Sequence, residues 1–132
     1  MREAMIASDR PFQITALSPI LSVADVERAI AFYCDYLGFT QRFLMPDTSY
    51  GIVELQGHPL HLSRPEDPSI LVPAQNQSCI YIAVTGIEAL WAQIEAAKPP
   101  TRVFPLSDRP WGMKEFGVID PDGCLIRVGE AS

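Results

Sequence analysis

The chain has 132 residues, of which 48% are hydrophobic and 20% are charged, a composition typical of one ordinary globular domain. Its net charge of −6 disfavours nucleic acid as a partner, which needs a basic surface, and mildly favours a cationic small ligand. No apolar run approaches the ~20 residues of a membrane span, and the N-terminal sequence lacks the apolar stretch of a signal peptide. We therefore expect a cytoplasmic protein with no membrane partner.

The first half of the chain predicts a strand, a helix and three further strands. Asp25 follows a β-rich run and can cap a helix, which Gly38 would end. Between them, apolar residues recur at helical spacing at Val26, Ala29, Ile30, Tyr33 and Leu37. The three later strands are predicted at 38–44, 49–55 and 58–63, with Gln56 and Gly57 as a turn.

The second half repeats this order. Thr85 and Glu88 match a capping box, and Pro99 with Pro100 would stop the helix. Its apolar stripe is formed by Ile87, Leu90, Trp91 and Ile94. Strands are predicted at about 102–106, 113–119 and 124–129, with residues 120–123 as the turn between the last two. Cys34, Cys79 and Cys124 form no CxxC pair and are expected to be buried thiols in a reducing compartment.

This repetition predicts an α+β fold of two βαβββ modules, about 14–63 and 78–130, within a single domain 1–132. The polar, proline-broken residues 64–77 would link them. Each module would have a mixed sheet with its helix on one face, so the other, open face must meet the sister module, a second subunit or a ligand. Alternation places His61 on the open face of the first sheet, and Tyr81 and Arg127 on that of the second.

Seven short motifs occur in order along nearly the whole chain. They are 23–25 (Val-Ala-Asp), 31–33 (Ala-Phe-Tyr), 37–39 (Leu-Gly-Phe), 60–62 (Leu-His-Leu), 110–112 (Pro-Trp-Gly), 115–116 (Glu-Phe) and 120–123 (Asp-Pro-Asp-Gly). As an ordered set they resemble the vicinal oxygen chelate superfamily, which includes glyoxalase I, extradiol dioxygenases and the bleomycin-resistance proteins. Pro19, Phe39, Phe43 and the Pro-Trp-Gly motif resemble the bleomycin-resistance branch. That resemblance implies a metal-free homodimer that sequesters an antibiotic in interface clefts without degrading it.

The resemblance also implies where a metal enzyme of this superfamily would hold its ion. Its ligand positions fall on Ser18, His61, Cys79 and Arg127. Divalent ions prefer imidazole, carboxylate or thiolate, so His61 and Cys79 qualify, Ser18 is poor and Arg127 repels a cation. An alternative metal site would use Glu54, His58 and His61. Alternation places Glu54 and His61 on one face of the hairpin and His58 on the other, and two ligands are too few for a tight site. We expect no cofactor; the alternative is a glyoxalase-like or extradiol-dioxygenase-like metalloenzyme with an atypical metal site.

Aromatic residues give the stronger indication of function, because flat rings stack on heteroaromatic ligands and attract cations. The predicted ligand-binding residues are Phe39, Phe43, Tyr50, His61, Trp111, Phe116 and Arg127. A core position is the alternative for each aromatic residue. Trp111 is the strongest candidate, because it lies in a loop between Pro110 and Gly112.

Arg127 leaves two interpretations open. It either binds an anionic group of the ligand or pairs with Glu54 or Glu115. It is unfavourable beside a cationic drug, for which Asp47, Glu66 and Asp67 would then have to supply complementary charge. The sequence therefore predicts a homodimeric small-molecule binder without specifying the ligand. An accessory module that binds a partner peptide is a third hypothesis, supported by the fold alone.

Overall fold

A computed structural model describes residues 11–67, 69 and 78–132 of the chain, without the side chains of 78 and 79. The first module contains β1 (Ile20–Ser22), α1 (Val26–Leu37), β2 (Thr40–Leu44), β3 (Tyr50–Leu55) and β4 (His58–Ser63). The second contains β5 (Ser78–Ala83), α2 (Ile87–Ala97), β6 (Val103–Arg109), β7 (Met113–Ile119) and β8 (Leu125–Ala131). The predicted α+β class and tandem βαβββ order are confirmed.

Each module forms one four-stranded mixed sheet, and the two sheets have the same topology. The strand orders are β1-β4-β3-β2 and β5-β8-β7-β6. In each sheet the first strand of the module runs parallel to the last, and the other neighbours are antiparallel. Because the last strand lies centrally in both sheets, residues of β4 and β8 are flanked on both sides.

Helix α1 begins and ends where the sequence predicts. The Asp25 side chain accepts a hydrogen bond from the Arg28 backbone N–H, and Gly38 closes the helix in the left-handed region at φ 79°. Its buried stripe includes Val26, Ala29 and Tyr33, as the helical spacing predicted.

Helix α2 is capped by a different device, and the predicted capping box is wrong. Gly86 is the N-cap, with φ 79° and no side-chain cap bond, and Thr85 is exposed. Instead, Glu130 of β8 accepts a hydrogen bond from the Ile87 backbone N–H at 2.9 Å. A carboxylate from a neighbouring strand thus satisfies an N-terminal amide that the sequence assigned to a local partner.

The two modules share one hydrophobic core, and α1 contacts α2. A buried polar contact also joins them, since the Tyr33 hydroxyl donates to Asp120 Oδ2 at 2.7 Å. Nearby, Asp122 accepts a hydrogen bond from the Ala24 backbone N–H at 2.9 Å. No described helix is long and apolar enough to cross a membrane.

Several sequence expectations need correction in detail. Strands β6 and β8 end at Arg109 and Ala131 rather than at 106 and 129. The first strand begins at Ile20, so the implied ligand position Ser18 lies before it. Cys34 is a free thiol, but Cys124 is disulfide-bonded, so the expectation of three thiols is wrong for Cys124. The side chain of Cys79 lies outside the described residues.

Candidate functional site on two open sheet faces

The first sheet has an open face opposite α1. A Cβ placed on Gly51 would lie 2.7 Å from Ile30 Cδ1 of α1, so Gly51 points toward the helix and its neighbours in β3 point away. The first open face is therefore formed by Ile20, Phe43, Tyr50, Ile52, Glu54 and His61, as the strand registers require. Ile20 and Phe43 expose 60% and 44% of their surface, which gives this face an apolar character.

A tyrosine–histidine pair lies at the centre of the first open face. The Tyr50 hydroxyl and His61 Nδ1 are 2.5 Å apart, and their rings meet edge to face with centroids 5.6 Å apart. His61 is thus hydrogen-bonded to a neighbouring side chain of the same face. Beside it, Arg42 Nε lies 3.4 Å from Glu54 Oε1.

An acidic groove opens at the edge of this face. It has a volume of about 640 Å³ and is lined by residues that include Asp47, Tyr50, Arg64 and Glu66. Hydrogen bonds from the Ser49 hydroxyl and backbone N–H lower the pKa of Asp47, so its carboxylate stays ionised in neutral solution. Two of the three acidic residues expected to complement a cation therefore line the groove; Asp67 is not among the lining residues.

The second sheet has an open face opposite α2. A Cβ on Gly117 would lie 2.7 Å from Leu125 Cδ1, and one on Gly129 would lie 1.8 Å from the Tyr81 hydroxyl. These contacts and the strand registers define the second open face, formed by Tyr81, Phe104, Glu115, Leu125 and Arg127 with Trp111 at its edge. Tyr81 and Trp111 expose 46% and 59% of their surface.

Glu115 links the polar groups of the second open face. The carboxylate is 3% exposed, and its Oε2 accepts hydrogen bonds from the Tyr81 hydroxyl at 2.8 Å and from Trp111 Nε1 at 3.4 Å. Arg109 Nε lies 3.7 Å from Oε1. Partial burial, followed by the bond to Glu115, raises the pKa of Tyr81. Tyr81, Arg109 and Glu115 are absent from the predicted site residues, although alternation did place Tyr81 on this face.

The structure divides the predicted ligand-binding residues into three groups. Phe43, Tyr50 and His61 lie together on the first open face, and Trp111 and Arg127 lie on the second. Phe39 and Phe116 instead lie in the core, 7% and 1% exposed.

Packing explains the position of these two phenylalanines. Phe39 packs against Tyr33 of α1 with ring centroids 5.4 Å apart, and Phe116 packs against Trp91 of α2 at 5.2 Å. Phe116 follows Glu115 in β7, so alternation turns it toward the helix. The expectation that both line a ligand pocket is therefore not met within this chain, because neither offers surface to a ligand.

Arg127 forms neither of the ion pairs that the sequence suggested. Glu54 lies beside Arg42, and Glu115 lies beside Arg109. Among residues 11–67, 69 and 78–132, Arg127 has no ion pair or hydrogen bond from its side chain. A partly buried guanidinium thus remains available on the second open face.

Among the described side chains, the implied metal-ligand positions do not form a donor set for a divalent ion. Of the four implied positions, Ser18 precedes β1 and offers only a hydroxyl, and Arg127 is cationic. His61 could still ligate a metal through Nε2, because only its Nδ1 is bonded to Tyr50. The fourth, the side chain of Cys79, lies outside the described residues. Elsewhere in the described part of the chain, no three His, Cys, Asp or Glu side chains come together as metal ligands.

The sequence as a whole matches a family model described as the Glyoxalase/Bleomycin resistance protein/Dioxygenase superfamily, over residues 13–128. The chain belongs to this superfamily. Within it, a bleomycin resistance protein from Geobacillus stearothermophilus is 33% identical over 125 residues, covering 82% of this chain and 90% of the relative. A bleomycin resistance protein from Staphylococcus aureus has the same identity and coverage.

Solved structures of superfamily members share the fold. The bleomycin-binding protein from Streptomyces verticillus, complexed with copper(II)-bleomycin, has a TM-score of 0.69 and 26% identity, covering 92% of this chain and 98% of that chain. A glyoxalase-related enzyme from Clostridium phytofermentans has a TM-score of 0.75 at 18% identity, covering 93% of this chain and 99% of that chain. Because drug binders and enzymes adopt the same fold, function must be argued from the open faces.

Proposed function

We propose that this protein binds a small antibiotic of the bleomycin class and protects by sequestration, without chemical change of the drug. The binding cleft would lie between the first open face of one chain and the second open face of another copy. The observation that carries this proposal is the pair of open faces with exposed aromatic side chains, in a chain 33% identical to bleomycin resistance proteins.

The distribution of aromatic residues supports a stacking site. Phe43 and Tyr50 lie on the first open face, and Tyr81 and Trp111 on the second. Heteroaromatic rings stack well between such side chains, and the ring faces also attract a cation. A cleft that joins the two faces would enclose a planar ligand between aromatic walls.

The fold supports a shared cleft rather than one within a single chain. The helix-covered faces of both sheets pack into the same core, so each open face points away from that core. A second copy can cover both faces at once through a two-fold arrangement, in which each first face meets the partner's second face. The homodimer, with two equivalent clefts, is part of the proposal.

The charges support binding without metal chemistry. Asp47 and Glu66 line the groove beside the first open face, and these acidic side chains suit the cationic part of a bleomycin-type drug. The implied metal positions carry Ser18 and Arg127, which are poor partners for a divalent ion. Sequestration needs only affinity, so it requires neither a nucleophile nor a complete metal-ligand set on these faces.

Calorimetric titration of the purified protein with bleomycin tests the proposal. We expect saturable binding with one drug molecule per chain, and expression of the protein should protect drug-sensitive bacteria while the drug is recovered unmodified. Trp111→Ala should weaken binding by roughly ten- to hundredfold, because a tryptophan that stacks on a ligand carries much of the affinity. Trp91→Phe is the matched control, since Trp91 packs on Phe116 in the core.

Two results would overturn the proposal. Absence of heat at about 100 µM protein would place the affinity outside the range that sequestration requires. Recovery of a chemically altered drug would instead indicate an enzyme.

A further inference from the structure

One buried carboxylate holds two exposed aromatic rings on the second open face. Glu115 itself is 3% exposed, whereas Tyr81 and Trp111 expose 46% and 59% of their surface. Both rings nevertheless have their polar atom bonded to the same oxygen, Glu115 Oε2. The rings reach the face from different elements, Tyr81 from β5 and Trp111 from the turn between β6 and β7.

The backbone of β8 is shaped to allow this contact. Gly129 lies between Ala83 of β5 and Glu115 of β7 in the sheet, and the Tyr81 side chain crosses above it to reach Glu115. A Cβ at position 129 would lie 1.8 Å from the Tyr81 hydroxyl and 3.3 Å from Glu115 Cγ. Only glycine leaves room for the tyrosine in this position.

The turn that carries Trp111 is also held in place. Gly112 adopts φ 84°, its N–H donates to the Arg109 carbonyl at 3.1 Å, and its carbonyl accepts from the Ser132 N–H at 2.9 Å. The Arg109 guanidinium lies 5.9 Å from the centre of the Trp111 ring and beside Glu115 Oε1. The tryptophan is therefore fixed by its backbone, by its indole N–H and by a neighbouring cation.

We propose that Glu115 is a positioning residue, which holds Trp111 and Tyr81 as one preformed aromatic surface for the ligand. This inference rests on the proposed function for its ligand, but the positioning itself concerns the free protein. Exposed aromatic side chains that are already ordered lose less conformational entropy when a ligand stacks on them. Glu115 thus contributes to affinity without touching the ligand, through the two rings that do.

The fluorescence of Trp111 tests the positioning in the absence of any ligand. The chain has two tryptophans, so Trp91→Phe leaves Trp111 as the single reporter. In this background, Glu115→Ala should make the fluorescence anisotropy of Trp111 decay faster, because an exposed side chain freed from its partner becomes more mobile. Quenching of the Trp111 fluorescence by acrylamide should increase by roughly twofold. Glu115→Gln keeps one acceptor oxygen and should lie between wild type and alanine. Tyr81→Phe should leave the Trp111 signal nearly unchanged.

Bleomycin titration of the same variants tests the consequence for binding. Glu115→Ala and Gly129→Ala should each weaken binding by roughly tenfold, the loss expected when two side chains must be ordered on association. Tyr81→Phe should have a smaller effect, because it keeps the ring. Glu88→Gln is the matched control, since Glu88 is an exposed glutamate of α2 whose side chain pairs with Lys114.

The two measurements test the positioning role of Glu115 and the identity of the ligand independently. Unchanged Trp111 mobility in both Glu115 variants would overturn the inference, whatever the drug does. Increased mobility in a protein that never binds bleomycin would uphold the positioning and reject the ligand. Thermal unfolding checks that each variant folds; if Glu115→Ala does not, Glu115→Gln decides the question by the same two measurements.

Discussion

Arg127 is the residue that most directly distinguishes one ligand chemistry from another. Its guanidinium lies on the second open face without an ion pair among the described residues. It lies close enough to Tyr81 to lower that residue's pKa, against the larger effects of burial and Glu115. A cationic drug in this cleft would meet an uncompensated positive charge.

Replacing Arg127 should therefore improve the binding of a cationic drug. We expect Arg127→Gln to strengthen bleomycin binding by about three- to tenfold at low salt, since two unit charges at close range in water-like surroundings repel by ~1 kcal/mol. The gain should shrink at high salt because ions screen the repulsion. Arg127→Lys keeps the charge and should bind like the wild type. Weaker binding by Arg127→Gln would mean that the arginine binds an acceptor group of the drug.

At the level of helices and strands, the pattern of apolar residues was sufficient to predict the element order. The helical stripes and strand alternation correctly predicted α1, α2 and the order of all eight strands, although β6 and β8 extend beyond their predicted ends. What the pattern could not specify was the partner of each polar group. Thr85 and Glu88 fit a capping box, yet Glu130 from a distant strand caps α2, because packing of β8 beside the helix determines which carboxylate is near.

The same limit explains the errors in the predicted site. Phe39 and Phe116 are aromatic, as expected of a binding surface, but their positions in the fold direct both side chains into the core. The sequence suggested Arg127 as the partner of Glu115. In the sheet, β8 lies between β5 and β7, and this order brings Glu115 of β7 within reach of Tyr81 of β5. Contacts that cross several strands depend on the sheet order, which local periodicity does not specify.

The burial of Asp120, which accepts a hydrogen bond from Tyr33 of α1, should make the stability of the fold depend on pH. Burial raises the pKa of Asp120, although hydrogen bonds from Tyr33 and from the Cys124 and Asp122 backbone N–H groups oppose that rise. A carboxyl whose pKa is raised by folding stabilises the fold fully below the usual Asp pKa of about 3.9. This contribution is lost as the pH rises through the raised folded value.

Urea unfolding of wild type and Asp120→Asn at several pH values measures this effect. The advantage of the wild type over Asp120→Asn should grow as the pH falls from neutral toward about 3.9, since asparagine does not titrate. Tyr33→Phe should cost about 1–3 kcal/mol, because it leaves a buried acceptor without its donor. A pH-independent difference between wild type and Asp120→Asn would show that burial does not dominate the pKa of Asp120.

At the scale of the whole molecule, half of the exposed large apolar side chains of the described residues lie where a second chain would cover them. Ile20 and Phe43 lie on the first open face, and Tyr81 and Trp111 lie at the second, all at least 44% exposed. The segment before β1 adds Leu17, which is 93% exposed. Contiguous apolar surface of this kind is characteristic of interaction sites.

We therefore expect a dimer of the 14.6 kDa chain in sedimentation at about 10 µM, because a stable interface covering both faces would bury well over roughly 1,000 Å². Ile20→Glu places a charge on the first open face and should shift the protein to monomer. It should also abolish bleomycin binding, since each cleft needs both chains. Ala92→Glu adds the same charge to an exposed position of α2 and should leave both properties unchanged. A wild-type monomer that still binds the drug would locate the site on one face alone, and the shared cleft would have to be abandoned.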